Sequence, residues 1–344
     1  VHEMTKKQRA IVVFPGRGSY SAQELGYLRL NYPKRLDFIH SLDQVRKKQG
    51  ASSVLKLDKL PKFSVSEHLT SRNASNLIYT CAQADFLEID RTKFEIVGIC
   101  GNSLGWYLTL AASGALSFQD GARLVDSMGH LMQKQGVGQQ LLCSVTTDDW
   151  QIDSEQRRMV MNLIDKTPNL FLSIDLGGSL VLAGSNEVIH SIKKDPVLAR
   201  YVEPSVLPKH SAFHTPLLKD VSNLAQSSIS KSFFDVPLVP IIDGRGLVWS
   251  QLSTDIDALH NYTLNQQIID LYNFKSSIEI ALKEFAPDRI ILTGPGSSLG
   301  ASIAQCLVAN TWQGIRDRDS FLKRQSTDPL LLAMGRSEQR KLVV

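Results

Sequence analysis

The chain of 344 residues reads as an α/β protein, a parallel sheet interrupted by a smaller inserted module, and three stretches carry that reading. Residues 10–14 (Ala-Ile-Val-Val-Phe) are an unbroken apolar run ending at Pro15-Gly16, the form of a strand buried on both faces of a parallel sheet. Residues 94–100 form a second such run, which passes through Gly101-Asn-Ser-Leu-Gly105 into a helical stretch over 106–115. Strand, glycine turn and helix in that order mark an α/β unit. Between 137 and 208 the rhythm changes. A strand at 141–145 precedes a helix at 154–165 opened by a Ser/Asp cap. Strands at 170–175 and 179–183 face each other across Gly177-Gly178, and a helix at 186–194 and a strand at 201–207 follow. That β-α-β-β-α-β order is ferredoxin-like.

The remaining elements fit around these. Residues 21–92 are polar and helical in pattern, with breaks near Pro33, Gly50 and Pro61. After the insertion the α/β pattern resumes, with strands at 238–242 and 289–292 and a helix at 273–285. The expected division is a discontinuous core, 1–136 and 209–344, around a small subdomain, 137–208. A chain of this length accommodates two such units.

Composition narrows the function. A formal charge of +4, 43% apolar and 21% charged residues suit a soluble enzyme and exclude a disordered, fibrous or disulfide-rich chain. No apolar run approaches the roughly 18 residues of a membrane span. Residues 1–9 are polar and lack the apolar stretch of a signal peptide. Cys81, Cys100, Cys143 and Cys306 are scattered without a CxxC pair, so the expected setting is a reducing cytoplasm. The mild positive balance makes nucleic acid a poor partner and leaves room for an acidic one.

Gly101-x-Ser103-x-Gly105 matches a nucleophile elbow, in which glycines permit a strained turn that exposes the hydroxyl ahead of a helix N-terminus. An ordinary βα turn is the competing reading of the motif alone. A serine hydroxyl needs a base at neutral pH. His214, in Ser211-Ala-Phe-His-Thr-Pro216, sits in a proline-bounded loop that would present it, although a surface histidine is the plainer reading. His210 and His214 are four apart, but the flanking Pro208 and Pro216 and the want of a third ligand argue against a metal site. Gly16-Arg-Gly-Ser19 lacks the third glycine of a dinucleotide fingerprint, and Gly294-Pro-Gly-Ser-Ser-Leu-Gly300 lacks a phosphate-loop lysine. Both read as turns at the carboxyl ends of strands, where an α/β site lies.

Taken in order, these pieces resemble the malonyl-CoA:acyl carrier protein transacylase family, which includes the acyltransferase domains of fatty acid and polyketide synthases. The family opens with FPGQGSQ, matched by Phe14-Pro-Gly-Arg-Gly-Ser-Tyr20, and carries GHSLGE, matched by Gly101-Asn-Ser-Leu-Gly-Trp106. Its next motif, ALSFEDA followed by RLV, an RG pair and MQ, is matched by Ala115-Leu-Ser-Phe-Gln-Asp120, Arg123-Leu-Val125 and Gly129-His-Leu-Met-Gln133. Its AFHTPLM and VGPG are matched by Ala212-Phe-His-Thr-Pro-Leu-Leu218 and Thr293-Gly-Pro-Gly296. The resemblance implies a hydrolase-like large subdomain with the ferredoxin-like insertion. It also implies a ping-pong transfer from acyl-CoA to the phosphopantetheine thiol of an acyl carrier protein, with no permanently bound cofactor and no metal. Ser103 would be the nucleophile and His214 the base. The backbone N–H groups of Arg17 and Leu104 would form the oxyanion hole, and a main-chain carbonyl at Asn273 would orient the histidine.

The departures carry a specificity expectation. Met128 stands where the family's arginine holds the malonyl carboxylate, and a buried carboxylate without a cation is costly. An uncharged acyl group is therefore expected, unless Arg17, which replaces the usual glutamine, supplies the cation from the other side. Asn102 replaces His and Trp106 replaces Glu at the elbow, where both bear on acyl specificity. An acyl hydrolase acting on carrier proteins and a non-catalytic docking subunit are the competing functions. The chain could serve a fatty acid or polyketide synthase in trans.

Overall fold

The computed structural model describes residues 6–201 and 204–344. Its strands are β1 (Gln8–Phe14), β2 (Phe94–Gly101), β3 (Gln139–Ser144), β4 (Leu170–Asp175), β5 (Ser179–Gly184), β6 (Ser205–Val206), β7 (Ile241–Ile242), β8 (Val248–Trp249), β9 (Tyr272–Asn273), β10 (Arg289–Leu292) and β11 (Leu331–Ala333). The large sheet runs β11-β10-β1-β2-β7-β8, parallel except for the last pair. At its centre the apolar run of β1 is fully buried, as a strand covered by helices on both faces requires. Each such Ile, Val or Phe contributes about 1.5–3 kcal/mol relative to exposure.

The small sheet runs β6-β3-β5-β4-β9. Its first four strands are antiparallel and in ferredoxin-like order. They pack a separate core of Leu141, Cys143, Val160, Leu180, Leu182 and Ile189 against helices Ser154–Lys166 and Asn186–Lys193. Asp153 caps the first of these helices by accepting from the Glu155 and Gln156 amides. The fifth strand, β9, comes from the far side of the insertion and pairs in parallel with β4.

Two expected strands are shorter than their apolar runs. The 238–242 run gives only β7, because Pro240 has no N–H for the ladder and the Leu238 amide donates instead to the Ser113 carbonyl. The 201–207 strand shrinks to β6 between Pro204 and Pro208, with Tyr201 closing a helix and residues 202–203 outside the described residues.

Helices Ser71–Glu88 and Phe118–Gln135 pack closely beside the sheet, at a contact where a Cβ on Gly121 would fall 2.3 Å from the Tyr79 hydroxyl. Asp126 lies buried between them and accepts from both Arg46 (3.0 Å) and Arg72 (2.5 Å).

Candidate active site

The carboxyl end of β2 makes the sharp turn that the glycines foretell. A Cβ on Gly101 would lie 2.4 Å from the Gly105 carbonyl, and one on Gly105 would lie 2.5 Å from the Phe14 carbonyl oxygen. Between them Ser103 adopts φ 55°, a left-handed conformation rare for a residue with a Cβ and concentrated at functional sites. The next turn begins helix Gly105–Ala112, with Leu104 at its N-cap. There the first backbone N–H groups have no intrahelical partner.

His214 meets this serine from the 207–215 segment, itself at φ 57° and buried. Its Nε2 lies 2.7 Å from Ser103 Oγ. Its Nδ1 lies 2.6 Å from the Gln267 carbonyl, which can only accept. The hydrogen therefore sits on Nδ1, and Nε2 is left to receive the serine proton. Burial lowers the His214 pKa to about 4, against the smaller opposing pull of the Gln267 carbonyl. The imidazole is thus neutral and basic at pH 7.

The carbonyl on His214 is that of Gln267 rather than Asn273. Asn273 instead caps helix Phe274–Phe285, accepting from the Ser276 amide through its side chain. Gln267 follows the π-helical turn Tyr262–Gln266, a local widening of the helix often found at functional sites. Its side chain reaches the other half of the pair, with Nε2 donating to the Ser103 carbonyl (3.2 Å) and Oε1 accepting from Tyr107 (3.0 Å). Nothing in residue type marks a backbone acceptor, which is why sequence reasoning passed over Gln267. Tyr272 was likewise unmarked. Its ring lies 5.2 Å from that of His214, and its hydroxyl donates to the Gly101 carbonyl at 2.5 Å.

The first glycine turn packs on the elbow, since a Cβ on Gly16 would lie 2.9 Å from the Asn102 carbonyl oxygen. This brings Arg17 beside Ser103 on a small pocket whose other walls include Leu104, Tyr107, Val125, Met128 and Met132. The Arg17 guanidinium donates to the carbonyls of Leu69 (3.0 Å) and Lys209 (3.0 Å) and to Ser71 Oγ (3.3 Å). Its Nε is buried without a partner, and among the described residues no carboxylate pairs with it. Burial lowers its pKa to about 10, leaving it charged at neutral pH.

Asn102 lines a second space, a groove of about 350 Å³ that also opens onto Ser103. Trp106 lines neither space. It is fully buried, donates to Thr263 Oγ1 at 3.1 Å and meets Tyr262 edge-to-face, so it packs the helix against the π-helical turn. Among the described residues no group of three or more His, Cys, Asp or Glu could hold a metal ion, and no helix is long and apolar enough to cross a membrane.

No family model matches the chain. Among curated proteins, kotanin synthase of Aspergillus niger is 26% identical over 243 residues, 66% of this chain and 14% of that protein. The malonyl CoA-acyl carrier protein transacylase of Salmonella typhimurium is 23% identical over 297 residues, 83% of this chain and 89% of that one. The chain thus spans about one seventh of the synthase and most of the transacylase. Among solved structures, the malonyl-CoA:ACP transacylase of Synechocystis sp. superposes with a TM-score of 0.73 at 17% identity, covering 97% of this chain and all of that one. A malonyl-transacylase solved with its type II polyketide synthase acyl carrier protein gives a TM-score of 0.74 at 17% identity, with 97% of each chain covered.

The parallel sheet with its glycine elbow and facing ferredoxin-like insertion is the fold of the solved malonyl-CoA:ACP transacylases. In sequence the chain is similar to a malonyl CoA-acyl carrier protein transacylase and to part of non-reducing polyketide synthases.

Proposed function

We propose that this protein moves an acyl group from a CoA thioester to the phosphopantetheine thiol of an acyl carrier protein by way of an acyl ester on Ser103. The observation that carries the reading is the 2.7 Å Ser103–His214 pair, whose serine lines both a small pocket and a larger groove. His214 Nε2 accepts the Ser103 proton as Oγ attacks the thioester carbonyl. The backbone N–H groups of Arg17 and Leu104 receive the charge on the carbonyl oxygen, and the CoA thiolate leaves with the proton from His214. In the second half the carrier thiol gives its proton to His214, its sulfur attacks the ester, and Ser103 recovers its proton. Each oxyanion donor supplies about 10²–10³ in rate, and backbone donors survive the side-chain change at position 17. The protein's own groups suffice for this chemistry without a permanently bound cofactor. The same reading takes 1–136 and 209–344 as the catalytic core, 137–208 as the facing subdomain and the cytoplasm as the setting.

The acyl group is a short one carrying a carboxylate, malonyl first. Met128 offers no cation, but Arg17 stands on the same cavity with its charge uncompensated. A buried guanidinium without a counter-ion is costly, and a substrate carboxylate would relieve that cost. The uncharged acyl group suggested by Met128 alone is the alternative that experiment separates.

Intact-protein mass after brief incubation with malonyl-, acetyl- and longer acyl-CoAs, with Ser103→Ala beside the wild type, tests both levels. A gain with malonyl that Ser103→Ala abolishes supports the reading. Loading by acetyl alone would return the preference to an uncharged group, and loss of the ester to water with no transfer to carrier would make the protein a hydrolase. No loading at all would leave a docking subunit.

A further inference from the structure

His210 lies four residues before His214 and lines the groove that leads to Ser103. Its orientation is set by a chain of directional hydrogen bonds. Ser173 Oγ donates to the Phe213 carbonyl (2.7 Å), so it accepts from Gln140 Nε2 (2.7 Å). That bond turns Gln140 Oε1 toward His210, 2.9 Å from Nδ1. An amide oxygen only accepts, so the imidazole hydrogen is on Nδ1 and Nε2 carries a lone pair. Burial, with the Arg17 charge nearby, holds the His210 pKa well below the usual histidine value. The group is a neutral acceptor.

Two residues that line the same groove carry unmet polar atoms: Asn102 Oδ1 is a buried acceptor without a partner, and Arg17 Nε is a buried donor without one. The lining also includes apolar side chains such as Leu142, Ile174 and Val181. Unmet buried polar atoms in a native fold call for a partner. The complementary ligand is a narrow, mostly apolar chain with secondary amides along it, each offering one N–H and one carbonyl. Pantetheine has that form.

We propose that His210 Nε2 accepts an amide N–H of the phosphopantetheine arm and thereby sets how deeply the arm's sulfur enters toward Ser103. The assignment rests on the acyl-transfer reading above. It makes His210 a binding and positioning group for the acceptor, separate in role from the base His214.

The test loads the full-length protein from a malonyl thiophenyl ester, which has no amide, and then offers pantetheine or 1-propanethiol as acceptor. His210→Ala should acylate Ser103 as the wild type does and transfer to 1-propanethiol at an unchanged rate. Its kcat/KM for pantetheine should fall about three- to tenfold, the worth of one neutral hydrogen bond. His210→Gln, which keeps an acceptor oxygen, should restore most of that loss. Unchanged transfer to pantetheine would overturn the assignment, and so would an equal loss with both thiols, which would make His210 a support of the Ser–His pair. Failure of the wild type to acquire the acyl group would overturn the acyl-transfer reading and this assignment together.

Discussion

Arg17→Gln is the substitution that most directly tests why the cavity is charged as it is. It removes the guanidinium, keeps the backbone N–H beside Ser103 and installs the residue usual in the resembling family. In the wild type the guanidinium is held by two carbonyls and a hydroxyl, with no acid to neutralise it. If the malonyl carboxylate completes that set, removing the cation strands a buried anion. Breaking a buried ion pair costs about 3–5 kcal/mol, which at about 1.4 kcal/mol per decade is roughly 10²- to 10⁴-fold in malonyl loading. Acetyl loading should stay within about threefold of wild type, because the oxyanion donors are untouched. Met128→Arg added to Arg17→Gln returns a cation from the opposite wall and should recover malonyl loading. The assay is the initial rate of mass gain on Ser103 with each CoA ester, with thermal melting as a folding control. Undiminished malonyl loading in Arg17→Gln, or a parallel fall with acetyl, would refute the reasoning.

Four further outcomes follow from the geometry. The lowered His214 pKa places the acid limb of the loading rate at about pH 4, well under the 6.5 of an unperturbed histidine, as a pH–rate profile would show. The same shift ties stability to pH. The unfolded chain takes up this proton below 6.5 and the native one only near 4, so about 3 kcal/mol present above pH 6.5 is lost as the pH falls to 4. His214→Phe should flatten that part of the urea-midpoint curve. Gly105→Ala would push a Cβ to 2.5 Å from the Phe14 carbonyl oxygen, a backbone atom that cannot swing aside, and should cost at least about 1–3 kcal/mol in chemical denaturation. Asp126→Ala would leave Arg46 and Arg72 without their shared carboxylate and should lower unfolding free energy by about 3–5 kcal/mol.

The elements that the sequence declares most openly are those in which one local rule is sufficient. The β1 run, the glycine elbow and the first three strands of the insertion each combine a period or a turn residue with a clear boundary, and each stands close to where those signals place it. The strand at β7 was over-read because apolar character continued through Pro240, whose missing N–H ends the ladder. The short strands β8, β9 and β11 carry too few residues to display any period. At the site, Ser103 and His214 are recognisable because their chemistry resides in side chains within marked motifs. The part played by Gln267 resides in a carbonyl that every residue has. The substitutions at positions 17 and 128 are both legible in the sequence, and with them the alternative of a cation supplied from the other side; that Arg17 and Met128 line one pocket is a fact of the fold.

The joining of β9 to the small sheet has a consequence for how the molecule could be taken apart. Residues 137–208 look like a detachable cassette, yet their sheet is completed by Tyr272 and Asn273, which belong to the core. A polypeptide cut at those borders would leave the outer edge of β4 bare, a row of unpaired amides and carbonyls open to a second copy. The seam is shared with the chemistry. Tyr272, which stitches the sheet, also holds the Gly101 carbonyl and lies against His214. Prising the two halves apart along this seam would therefore slacken the nucleophile's turn and its base in the same movement, so the integrity of the hinge and the readiness of the serine are one property.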